Sequence, residues 1–209
     1  MTKIFKTTVF TEDFYSFVIP DFENIQKQIK QIVLVEDNKK IHGVDTSADT
    51  TIDDNKKRQN RTGWNSHQRY PALNNVCKII SHKIRDFVNE EGYDVPGLLV
   101  DDCWINWYGK GHNSFPHHHS AHISAVLFVD VETSNASFCF HGNRNLVLHK
   151  KTDQNVNYSN IVSLKATNGT VIFFDGHLLH SVTPNMTDNT RITVAINYSV
   201  DYRRTANEY

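Results

Sequence analysis

A chain of 209 residues, 39% hydrophobic and 22% charged, suits one compact domain with a substantial core. Its formal net charge of −1 offers no global field to draw it to nucleic acid, a membrane surface or an acidic polymer. The three cysteines, Cys77, Cys103 and Cys139, are too few and too widely spaced for a disulfide framework or a CxxC metal site, and read as small core side chains.

The opening "MTKIFKTTVF" soon meets Glu12 and Asp13, which does not read as a secretory signal, and no apolar run approaches the ~18 residues of a membrane span. The expectation is a soluble intracellular protein with no membrane partner. Residues 4–19 are rich in β-branched and aromatic types and predict one or two strands. Pro20-Asp21 then opens a helix, in which Phe22, Ile25, Ile29, Ile32 and Val33 recur at helical spacing. Residues 36–69 are polar and predict a long loop or excursion. Pro71 suits a helix start, and Leu73, Val76, Cys77, Ile80, Ile84, Phe87 and Val88 form an apolar stripe ended by Gly92 and Pro96.

After Gly97 the texture changes. "LLVDDCWINWYG", "ISAVLFVDV", "ASFCFHG", "NLVLHK", "IVSLKA", "GTVIFFD", "LLHSVTP" and "RITVAINYSV" are short strand-like runs punctuated by Gly, Asn, Asp and Ser. They predict a mainly β fold, an antiparallel sandwich or barrel at 99–209, buttressed by strands and helices from 1–98 within one domain.

Metal-binding residue types gather in this half. Alternate residues of a strand point to one side, so His117 and His119 of "PHHHS" can grip one ion while His118 faces away. His180, sixty-one residues on, sits among apolar neighbours on a predicted inward-facing strand. A surface histidine patch and a hydrogen-bonded core histidine are the plain alternatives. Two clusters within one predicted barrel favour a shared ion, with His122 and His177 in reserve. Arg191 opens an alternating strand and would point inward, where a guanidinium grips a carboxylate bidentately, and Thr193 shares its face. A rim salt bridge is the alternative for Arg191.

Taken in order, His117-His118-His119, Ile123–Val131, "GTVIFFDGHLLHSVTP" and "RITVAINY" resemble the Fe(II)- and 2-oxoglutarate-dependent oxygenases, and more narrowly the small bacterial and phage members of that superfamily. The likeness covers about residues 99–200, and "TTVF" and "TGWNSH" are similar to the N-terminal part of that group. It implies a double-stranded β-helix, a cupin-like jelly roll, with Fe(II) held by His117, His119 and His180. It further implies that 2-oxoglutarate reaches Arg191 and Thr193 through its far carboxylate, with Asn106, Tyr108 and Asn197 as further contacts. The reaction implied consumes O2, releases succinate and CO2, and hydroxylates a substrate that the sequence does not name.

One departure stands out. Most of the superfamily has a carboxylate where this chain has His119. His118 in a shifted register, or Asp175 from the neighbouring strand, are alternative ligands, and three histidines plus water also describe catalytic zinc. Two other functions compete: a cupin-like three-histidine Zn or Fe enzyme that ignores 2-oxoglutarate, and a non-catalytic barrel that binds a partner. Trp104 and Trp107 read as packing, Phe128, Phe173 and Phe174 as core or wall. The 36–69 excursion, ending at Trp64 and Tyr70, reads either as a cap on the substrate mouth or as an insertion.

Overall fold

Period-two alternation in the strands decides the architecture, because it splits each strand of the larger sheet into two faces with different partners. The computed structural model describes residues 4–9, 12–41, 60–92, 95–142 and 160–201. β1 (Phe5–Val9) and β2 (Glu12–Val18) lead into α1 (Phe22–Ile41); β3 (Asn60–Arg61) and α2 (Ser66–Arg69) precede α3 (Pro71–Glu90). The strands β4 (Leu98–Tyr108), β5 (Ser114–His117), β6 (Ile123–Asp130), β7 (Phe138–His141), β8 (Ile161–Leu164), β9 (Thr170–Asp175), β10 (His180–Val182) and β11 (Arg191–Val200) follow. They form a seven-stranded sheet, β1-β2-β9-β6-β11-β4-β3, and a four-stranded sheet, β5-β10-β7-β8, whose strand pairs are all antiparallel.

Both long helices cover the outer face of the larger sheet. Ile29, Ile32 and Val33 of α1 and Leu73, Val76, Cys77, Ile80 and Ile84 of α3 share one core with Cys103, Ile105, Trp107, Ala125, Leu127, Val129, Val171, Phe173, Ile192, Val194, Ile196 and Tyr198. The alternate residues of the same strands, among them Tyr108, Val126, Phe128, Ile172 and Phe174, face the smaller sheet and pack on Phe138, Phe140 and Val182. Each fully buried aliphatic side chain contributes about 1.5–3 kcal/mol, so the helix stripes anchor the larger sheet firmly. Polar pins add direction: Trp107 Nε1 donates to Asp37 Oδ1 at 3.0 Å, and Gln26 Nε2 to the Val129 carbonyl at 2.7 Å.

Two sequence expectations change, and one falls outside the described residues. The polar stretch from residue 36 begins as helix, since α1 runs to Ile41, and its far end forms β3 and α2; residues 42–59 lie outside the described residues. The "NLVLHK" run also lies outside them. The triple-histidine run does not lead directly into β6. Only His117 lies in a strand, closing β5 of the smaller sheet, and residues 118–122 form a loop before β6.

Candidate metal centre and its cavity

β5 and β10 pair antiparallel with His117 opposite His180, so two imidazoles from distant segments meet by strand register alone. His119 lies two residues beyond β5. Its backbone N–H donates to the Gly176 carbonyl at 2.7 Å, which ties the histidine loop to the turn between β9 and β10. Gly176 is required there: a Cβ on it would come within 2.1 Å of the Ala121 carbonyl oxygen.

His117, His119 and His180 each offer a ring nitrogen within 4.8 Å of the others. The Nε2 atoms of His119 and His180 are 3.2 Å apart. Two nitrogens each about 2.1 Å from one ion sit about 3 Å apart when at right angles, so this separation fits adjacent ligands of a single cation. His117 Nδ1 lies 2.7 Å from the Phe115 carbonyl and His180 Nδ1 lies 2.8 Å from that of Leu178. Carbonyls only accept, so both Nδ1 atoms carry the hydrogen and both Nε2 lone pairs are available. Burial lowers the pKa of His117, takes His119 down to about 4 and His180 to about 3, with neighbouring imidazoles adding to each effect. All three rings are therefore neutral near pH 7, the form that ligates a metal.

His118 turns away and stacks on His177, centroids 6.2 Å apart. Asp175 bonds the His177 backbone at 2.8 Å and its ring at 3.2 Å, outside the cluster. His122 Nδ1 accepts from the Val200 N–H at 3.2 Å and also stands apart. The alternative ligands and both reserves thus lie elsewhere.

The inward row of β11 reads Arg191, Thr193, Ala195, Asn197. Opposite it on β4 stand Tyr108, Asn106, Trp104 and Asp102. Arg191 is 3% exposed; Nη1 donates to the Ala136 carbonyl at 3.2 Å, while Nε and Nη2 are buried without a partner. Its guanidinium also lies 5.4 Å from the Phe128 ring centre. Burial lowers its pKa to about 10, still well above neutrality, and burial likewise pushes the Tyr108 phenol up. A buried cation with two idle donors is costly by itself and fits an incoming carboxylate. Among the described residues Arg191 has no carboxylate partner, so the rim salt bridge considered for it is not seen.

A cavity of about 360 Å³ opens onto the cluster, lined by His117, His119 and His180 and by Asn106, Tyr108, Thr193 and Asn197. Asn106 Oδ1 accepts from Trp104 Nε1 at 3.0 Å, and Asn197 lies between Ser124 and His119. Phe138 stacks on His180 with centroids 5.4 Å apart, and Phe174 meets it edge-on at 5.1 Å. Trp104, read from sequence as packing, lies on His119 at 5.7 Å and 26° and lines the cavity; Trp107 does pack on the helices. Its parity was the available signal, since Trp104 shares a face with Asn106 and Tyr108. Along the same cavity the Arg61 guanidinium lies 3.8 Å over Trp64, whose ring meets Trp104 edge-on at 4.7 Å, and exposed Phe115 also lines it. Sequence reasoning did not single out Arg61 or Phe115.

Residues 102–197 match the family model described as "Putative 2OG-Fe(II) oxygenase". No curated protein matches the sequence significantly. Among solved structures, AviO1 from Streptomyces viridochromogenes Tue57 is similar at 13% identity, covering 92% of this chain and 91% of that one, with a TM-score of 0.63. A Pseudomonas putida prolyl-4-hydroxylase is similar at 12% identity over 91% of this chain and 94% of its own, TM-score 0.58. SnoN, a non-heme alpha-ketoglutarate-dependent epimerase from nogalamycin biosynthesis, is similar at 12% identity over 88% and 76%, TM-score 0.60. The chain spans 46% of the length of an oxidoreductase of the 2OG-Fe(II) oxygenase family from Burkholderia pseudomallei. These likenesses bear out the double-stranded β-helix expected from the motifs.

Proposed function

We propose that the chain is an Fe(II)- and 2-oxoglutarate-dependent dioxygenase that hydroxylates a C–H bond, a reading supported by the match of residues 102–197 to the 2OG-Fe(II) oxygenase family model. The single observation that carries the co-substrate half of this reading is Arg191, a buried guanidinium with Nε and Nη2 unpartnered on the face of β11 that leads to the histidine cluster. A site without an anionic ligand would have no use for that charge.

When bound, Fe(II) and 2-oxoglutarate supply the oxidising chemistry: substrate C–H, O2 and 2-oxoglutarate become substrate C–OH, succinate and CO2. The protein's part is binding, orientation and exclusion of water. His117, His119 and His180 would hold the metal through Nε2. Arg191 would receive the far carboxylate of 2-oxoglutarate, with the hydroxyls of Thr193 and Tyr108 and the amide of Asn106 beside it. Phe138, Phe174 and Val126 keep the cavity wall apolar. Three neutral ligands leave the full double positive charge of the metal uncompensated, so a dianionic co-substrate supplies the missing negative charge. Arg61 and Trp64, from the far end of the polar excursion, line the cavity, which supports a capping role for that end.

Structural relatives include a prolyl hydroxylase and an epimerase, so the test must separate co-substrate turnover from its outcome. The Fe(II) protein incubated with 2-oxoglutarate and ascorbate should release succinate slowly without added substrate. His180→Ala should abolish that release. Arg191→Ala should raise the 2-oxoglutarate requirement tens- to hundredfold, as expected for loss of about 2–3 kcal/mol of charge-assisted hydrogen bonding, while leaving metal affinity nearly unchanged. Purified protein that carries zinc and turns over no 2-oxoglutarate when reloaded with Fe(II) would point instead to the three-histidine zinc enzyme.

A further inference from the structure

The three imidazoles are not held alike. His117 and His180 each face a backbone carbonyl through Nδ1, so their tautomer is fixed by the fold. His119 faces a side chain: its Nδ1 lies 3.1 Å from Asn197 Nδ2, while Asn197 Oδ1 accepts from Ser124 Oγ at 3.0 Å. A carboxamide has a donor edge and an acceptor edge, so it can serve either tautomer. With Nδ2 toward the ring, Asn197 donates to Nδ1 and the hydrogen of His119 resides on Nε2. That hydrogen then points at His180 Nε2, 3.2 Å away, whose lone pair is free to accept it. The metal-free site is thereby self-satisfied, and the Nε2 of His119 cannot ligate.

We propose that Asn197, backed by Ser124, is the positioning residue that switches His119 between a metal-free and a ligating tautomer by turning its amide over; this rests on the reading of His117, His119 and His180 as the metal ligands. In the ligating state the imidazole hydrogen moves to Nδ1 and donates to Asn197 Oδ1. Asn197 Nδ2 then donates to Ser124 Oγ, and the Ser124 hydroxyl changes from donor to acceptor. No charge moves among Ser124, Asn197 and His119, and each of the two hydrogen bonds of Asn197 is replaced by another. Ser124 and Asn197 are both buried and directly paired between β6 and β11, so water does not substitute easily for either. Trp104, stacked on the ring, limits the freedom of His119 to reorient instead.

Asn197→Asp removes the donor edge. A carboxylate can only accept, so it holds the hydrogen on Nδ1 permanently and adds a negative charge behind the ligand. Asn197→Leu removes both edges. Co(II) titration of the metal-free full-length protein, without 2-oxoglutarate, should show about tenfold tighter binding for Asn197→Asp and about 10- to 100-fold weaker binding for Asn197→Leu. Ser124→Ala should fall between wild type and Asn197→Leu. In the Co(II) protein, proton NMR should show three hyperfine-shifted exchangeable imidazole signals. Asn197→Leu should lose one to solvent exchange, and Asn197→Asp should keep all three with one displaced. If both Asn197 variants bind Co(II) within twofold of wild type and leave the three signals unmoved, the positioning role is wrong although the ligand set stands. If wild type lacks three such signals, or His180→Ala binds Co(II) equally well, the ligand reading itself fails and the tautomer proposal falls with it. Should Asn197→Leu not fold, the nearly isosteric Asn197→Asp decides.

Discussion

Arg191 is where stability and function are most plainly opposed. Its guanidinium is buried, close to fully charged at neutral pH, and leaves Nε and Nη2 without acceptors. Each buried donor left idle costs about 1–3 kcal/mol, and a charge without a partner costs more. Arg191→Met keeps most of the apolar stem and deletes the charge. It should therefore stabilise the co-substrate-free protein by about 1–2 kcal/mol, raising Tm by roughly 2–8 °C for a chain of this size. The same variant should lose the rise in Tm that 2-oxoglutarate gives the wild-type Fe(II) protein, because linkage requires binding. Calorimetry with and without co-substrate checks both halves; an unchanged or lower Tm without co-substrate would show that Arg191 already has a compensating partner. The sequence could place Arg191 on an inward face because it opens a clean alternating strand. It could not show that two nitrogens lack partners, since that depends on which carbonyls the smaller sheet presents.

At the scale of elements, the histidine centre depends on a junction between sheets. β5 and β10 bring His117 and His180 together by register, but His119 arrives through a loop pinned to the turn after β9. Gly176 permits that approach. Gly176→Ala would place a methyl against the Ala121 carbonyl at 2.1 Å, a contact that backbone must yield to. The expected cost is about 1–3 kcal/mol of stability with at least tenfold weaker metal binding, because the displaced loop carries His119. Ile80→Ala in α3 offers the contrast: a cavity on the outer face should cost about 2–5 kcal/mol while leaving the metal affinity of the folded protein close to wild type. Urea titrations paired with metal titrations separate the two; equal loss of metal affinity in both variants would show that the sheet does not insulate the site. The same junction explains what the sequence concealed. Period-two patterns exposed β4, β6, β9 and β11, and the stripe of α3 was equally clear. β5 is four residues long, contains Pro116 and exposes Phe115, so its pattern is too short to read. The pairing of His119 with Asn197 depends on loop geometry beyond β5, which no periodicity encodes.

Across the whole molecule, the larger sheet separates two environments. Its outer face, under α1 and α3, is almost wholly apolar, whereas its inner face carries buried Asn106, Ser124, Arg191, Thr193 and Asn197, with His180 facing them from the smaller sheet. The outer core must therefore outweigh the burden of the inner one, and part of that burden depends on pH. His119 and His180 have folded-state pKa values of about 4 and about 3, both depressed by burial below the ordinary 6.5. Between those values and 6.5 the unfolded chain binds more protons than the folded one, so stability rises with pH through that window. It is fully present above about 6.5 and is lost progressively on acidification toward 4 and 3. The metal-free protein should show its urea midpoint falling as pH drops from 7 to 4.5. A His119→Phe/His180→Phe double variant, which keeps rings among Trp104, Phe138 and Phe174, should show a distinctly flatter profile over the same range. Parallel profiles for the two proteins would mean that the acid sensitivity resides in carboxylates elsewhere and that these imidazoles are no harder to protonate folded than unfolded.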